Sequence, residues 1–170
     1  MNKTFKLLTF GLFFLIFIYV VLPNPEFPQP PQDSLQSKEP ADTETPFRRA
    51  YFTNLTREEV VAHYKKEFNS KYILPTLRLN YPPEESQTII RDQTMSTFLE
   101  ELVHPLRESL YINGFEPKSE KDTIIIEGLH WRQKIIIRYV PSIVWLRLLI
   151  LGLTIAVGLL LMREYSHGKK

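Results

Sequence analysis

Each end of this 170-residue chain is an apolar stretch of membrane-spanning character, so whatever folds must fold between two hydrophobic segments. At the amino end, residues 7–22 (LLTFGLFFLIFIYVVL) carry no charge, follow Lys3 and Lys6, and stop at Pro23. As a helix rising about 1.5 Å per residue they cover roughly 24 Å, so Phe5 and the aliphatic stem of Lys6 are needed to complete a span. A cleavable leader wants small residues in an A-x-A-like arrangement. This run ends Val20, Val21, Leu22, Pro23, Asn24, Pro25, which favours an anchor that stays in place.

The second apolar stretch, residues 143–162, is about 30 Å long as a helix and is closed by Arg163, Lys169 and Lys170. Its one charge, Arg147, lies in the first turns beside Trp145, where a snorkelling side chain reaches the headgroups. Gly152 and Ala156 form a small-x-x-x-small pair, a face through which copies can associate. Residues 1–22 and 141–163 are therefore read as two transmembrane helices, with 164–170 as a basic tail. Cations at both outer ends place both termini in the cytoplasm and the middle outside the plasma membrane.

Composition narrows the rest. The chain has no cysteine, which excludes disulfides, thiolate metal sites and a lipidated cysteine, and favours a bacterial envelope over a secreted eukaryotic setting. A formal charge of +2 gives no electrostatic case for nucleic acid. Residues 23–46 hold seven of the thirteen prolines among Gln, Ser, Asp and Glu, the composition of an extended linker.

Residues 47–140 then form one small domain. Residues 47–53 read as a strand. Thr56 and Glu59 make a capping box opening a helix with Val60, Val61, Tyr64 and Phe68 on one stripe, ending at Asn69 and Ser70. Residues 72–81 alternate as a half-buried strand. Pro82-Pro83-Glu84-Glu85 opens a second helix, whose helical spacing runs through Leu99, Leu102 and Leu106 to Leu110, kinks at Pro105 and ends at Asn113-Gly114; a second capping box at Thr97 and Glu100 offers an alternative start. Residues 123–127 and 131–140 complete a hairpin turned at Gly128. The order strand, helix, strand, helix, hairpin predicts an α+β domain with a mainly antiparallel sheet between two transmembrane helices.

Little in the domain points to chemistry. Glu101 and His104 have the E-x-x-H spacing that puts a carboxylate and an imidazole on one helical face, the basis for a membrane-bound metal-dependent enzyme as the alternative reading. The partner residues of such a site are missing, and no cofactor or metal is expected. Arg91-Asp92 and Arg107-Glu108 read as a solvated helix face. On the last strand Arg132, Lys134 and Arg138 lie opposite Trp131, Gln133, Ile135, Ile137 and Tyr139. With Trp145 and Arg147 they form a candidate contact with lipid headgroups. The expectation is a non-catalytic extracytoplasmic interaction or assembly module, an accessory subunit of a cell-envelope complex. Its partners would be membrane lipids and a protein in the membrane or envelope, with homo-oligomers through the second span as a further possibility.

Overall fold

The computed structural model describes residues 3–69, 76–89 and 95–167. It divides into two compact units, residues 1–24 with 142–170 and residues 25–141. The first contains helix α1 (Lys3–Val21) and a later helix described below. The second begins inside the proline-rich segment with β1 (Leu35–Gln36), followed by a short 3-10 turn at Pro40–Thr43. Then come β2 (Arg48–Thr53), α2 (Arg57–Asn69), β3 (Leu77–Tyr81), α3 (Pro83–Ile89), β4 (Phe98–Val103) and β5 (Ser109–Phe115). A small hairpin, β6 (Ile124–Ile126) and β7 (Leu129–Trp131), precedes β8 (Gln133–Val140). The last helix is α4 (Val144–His167), which runs past the expected end at residue 163.

The unit spanning 25–141 is an α+β fold. Its six-stranded sheet has the order β1-β2-β8-β5-β4-β3, and every pairing in it is antiparallel. Helix α2 starts as its sequence predicts: the Thr56 amide donates to Glu59 Oε2 at 2.7 Å and the Glu59 amide donates back to Thr56 Oγ1 at 3.3 Å. Its stripe of Val60, Val61, Tyr64 and Phe68 is buried with Tyr51, Leu102, Leu110, Ile112, Ile135, Ile137 and Tyr139 of the sheet. The alternation in β8 holds, with Gln133, Ile135, Ile137 and Tyr139 buried on one face.

The long kinked helix expected to run from Pro83 to Leu110 is not formed: among the described residues of this stretch only α3 is helical, and residues 98–115 form the β4–β5 hairpin, in register from Phe98 opposite Gly114 to Val103 opposite Ser109. The helical spacing is a coincidence of a strand buried on both faces: Phe98 to Glu101 and Leu102 are all buried, so the period-2 signal disappears. Pro105 sits in the turn rather than in a kink, and the next residue, Leu106, takes φ 62°. Gly114 is a strand residue, not a helix cap. It is glycine because a Cβ there would lie within the Phe98 ring of the neighbouring strand. Thr97 opens no helix: its hydroxyl donates to the Gly114 carbonyl.

Gly128 does turn a hairpin, with Glu127 and Gly128 at φ 55° and 77° as a two-residue primed turn requires. That hairpin joins β6 to β7 alone. The Arg132 amide is diverted to Asn54 Oδ1 at 2.9 Å, and the chain then enters the main sheet as β8 between β2 and β5. Nor is the proline-rich stretch a free spacer. Leu35 and Gln36 pair with Phe52 and Tyr51, Ser37 donates to the Ala50 carbonyl, Phe27 packs against the core, and Pro28, Pro31, Ser37 and Asp42 are buried. Arg91 and Asp92 lie outside the described residues.

Candidate functional site

The docked proline-rich segment forms one wall of a concavity. On the sheet face away from α2, Lys134 and Ile136 of β8 stand beside Asn113 and Phe115 of β5, paired in the ladder. Residues 39–44 and Arg48 wall the other side, enclosing a cleft of about 460 Å³. Lys134 is its electrostatic centre. Its Nζ lies 2.8 Å from Glu39 Oε2, 2.7 Å from Asp42 Oδ2 and 5.7 Å above the Phe52 ring. The Ser37 hydroxyl donates to Asp42 at 2.6 Å and completes the set. Burial alone would lower the Lys134 pKa, but the hydrogen bonds it donates to Asp42 and Glu39 more than offset it and hold the ammonium charged.

This geometry revises the basic face expected on β8. Arg132, Lys134 and Arg138 do share a side, but Lys134 is consumed by Glu39 and Asp42, and of the two exposed arginines Arg132 pairs with Glu116 at 2.8 Å. Asp42 and Glu39 were missed because they lie in a stretch whose composition reads as solvated. Lys134 and Glu39 are 95 residues apart, so no local spacing announces them.

A second charged cluster ties α2 to the sheet edge. Glu100, fully buried, accepts from Arg57 Nε at 2.9 Å and from Arg78 Nε and Nη2 at 2.9 and 2.8 Å. Arg78 also donates to Glu58 at 3.0 Å, and Arg57 to Asn80 at 2.7 Å. Burial pushes the Glu100 carboxyl up, yet the two guanidiniums hold it below the usual carboxylate range.

Glu101 and His104 are not brought together. Glu101 belongs to β4, His104 lies just beyond the end of that strand, and the two side chains take different partners. Glu101 accepts the Tyr81 hydroxyl, which raises the phenol's pKa. His104 stacks on Phe68 with centroids 4.3 Å apart and pairs through Nδ1 with Glu108 at 2.9 Å, beside Arg107. Arg107 and Glu108, expected on a solvated helix face, are buried in this turn. Among the described residues no group of three His, Asp or Glu side chains could hold a metal ion. No known protein family, curated protein or solved structure matches this chain.

In the other unit, Trp145 is exposed and Arg147 is buried. Its Nη1 donates to the carbonyls of Val20 and Leu22 at 3.2 and 3.0 Å, its Nε to Ser142 Oγ at 2.6 Å, and its Nη2 to the Ser142 carbonyl at 2.9 Å and to Asn24 Oδ1. Asn24 Nδ2 in turn donates to the Ser142 carbonyl at 2.9 Å.

Proposed function

We propose that this chain is a membrane-anchored, non-catalytic interaction or assembly module, an accessory subunit of a cell-envelope complex whose α+β domain works outside the plasma membrane. The observation that carries the reading is α4. It is long and apolar enough to cross a bilayer, and Leu149, Ile150, Leu153, Val157, Leu159, Leu160, Leu161 and Met162 are all exposed along it. A helix that presents apolar side chains to its surroundings over most of its face calls for an apolar solvent. The uncharged part of α1, Leu7–Val21, is shorter, and the two-span reading adds Phe5 and the Lys6 stem to it. The basic flanks argue that both termini face the cytoplasm.

For the domain, the support for a binding role is the mixed-charge cleft around Lys134, whose charges are already compensated and whose rim offers carboxylates, Arg48 and Asn113 to a polar partner. Alkaline carbonate extraction followed by crosslinking in native membranes tests the reading. The chain is expected to stay in the carbonate-resistant pellet and to crosslink through residues around the cleft to a protein of different mass. Release into the soluble fraction overturns the anchor, and crosslinks between copies alone replace the accessory subunit with a self-assembling protein.

A further inference from the structure

We infer that Arg147 is an interhelical lock: it binds the carboxyl end of α1 so completely that α1 is a permanent structural partner of α4, not a leader removed after insertion. This rests on the reading of both helices as membrane segments and goes beyond it by naming the residue that joins them.

The argument starts from donor arithmetic. A guanidinium has five N–H donors in a fixed planar fork and cannot shed its charge. Arg147 spends all five: one from Nε to Ser142 Oγ, two from Nη1 to Val20 and Leu22, and two from Nη2 to Asn24 and Ser142. Three of these acceptors belong to residues 20–24, more than 120 positions away in sequence, so the fork bridges two segments that meet only if α1 remains.

Helix termini explain why an arginine suits the place. The last carbonyls of α1 have no amide partner within their own helix, and the partial negative charge gathered there favours a cation. In hydrocarbon or at its boundary an unmatched carbonyl is costly, as is an unmatched guanidinium, and here each satisfies the other. Pro23 sharpens the need, because it cannot supply an N–H to an α1 carbonyl. Val20 is completely buried, so the segment where a leader peptidase would cut after the apolar run is occupied by the lock. Removing residues 1–22 would strip the guanidinium of two acceptors at the entrance of an apolar helix.

The lock is tested on the full chain, carrying an amino-terminal affinity tag and a specific protease site inserted between Gln32 and Asp33, an exposed turn ahead of β1. After cleavage in mild detergent, the fraction of the carboxyl-terminal fragment retained on tag resin is measured. Wild type is expected to be retained almost completely, and Arg147→Leu to lose retention at least tenfold. Arg147→Lys keeps the charge with three donors in place of five and is expected to fall between them, as is Asn24→Ala with Ser142→Ala. Phe27→Ala removes the fragment's aromatic contact with the domain core and is expected to stay near wild type.

Retention of Arg147→Leu and Arg147→Lys at the wild-type level overturns the lock, as does release of wild type itself, complete release by Phe27→Ala, or a mature protein lacking residues 1–22. Should Arg147→Leu fail to accumulate, Arg147→Lys and the Asn24→Ala, Ser142→Ala pair decide the matter alone. Carbonate extraction of the uncleaved chains reads the membrane assignment separately: a carbonate-resistant Arg147→Leu that retains its fragment sinks the lock and leaves the anchor standing, whereas solubilised wild type sinks the anchor.

Discussion

At the level of single residues, two side chains show how this domain distributes its strain and charge. Gly114 faces Phe98 across the β4–β5 ladder with no room for a Cβ, so Gly114→Ala should cost roughly 1–3 kcal/mol by overpacking, and Gly114→Val at least as much. A urea melt of the full chain in detergent measures it, and a neutral result would mean that the ring has another place to go. Glu100 is the second case. Removing its charge with Glu100→Gln strands Arg57 and Arg78 around a buried amide, and should destabilise by about 3–5 kcal/mol. Because the Glu100 pKa is lower in the folded protein than in the unfolded chain, its contribution is fully present above the ordinary carboxylate value of ~4.3 and is lost as pH falls through the folded value. Wild type should therefore lose stability on acidification below that value faster than Glu100→Gln does. Parallel acid profiles of the two would rule this out.

At the level of elements, the proline-rich segment is the one whose state matters most, since it supplies one wall of the cleft. Asp42→Asn leaves its size unchanged but removes the charge that meets Lys134, and should cost about 1–3 kcal/mol while making residues 25–46 a faster target for limited proteolysis. Unchanged cleavage would show that β1 and Phe27 hold the segment unaided. This element was illegible in the sequence because its order comes from partners far along the chain, whereas proline density speaks only of local stiffness. By contrast α2 was legible down to its capping pair, since both the cap and the apolar stripe are written within thirteen residues. The β4–β5 hairpin failed for a third reason. Burial on both faces erases strand periodicity, and Leu99, Leu102 and Leu106 happen to fall at helical intervals, although Leu106 at a positive φ belongs to a turn. Arg147 lies in the helix the sequence predicts, but its hydrogen-bond partners Asn24 and the Val20 carbonyl were illegible because they lie at the far end of the sequence.

For the molecule as a whole, topology is the property on which the proposed function depends. Reporter insertions at the Asp33 turn should be active only outside the cytoplasm, and reporters fused after Lys170 only inside it; an external carboxyl end would reverse the orientation. The strand order carries a further consequence, for timing. Strands β2 and β5 never touch each other in the sheet; each pairs with β8, and Arg48 of β2 finds its partner Arg138 ninety positions later. The centre of the sheet is thus the last strand to be synthesised, delivered only as the ribosome reaches α4. Until then the emerging chain holds two half-sheets with open edges, each able to pair wrongly. A domain built this way cannot finish folding until β8 itself has left the ribosome's exit tunnel, so closure of the sheet waits on the segment directly ahead of α4.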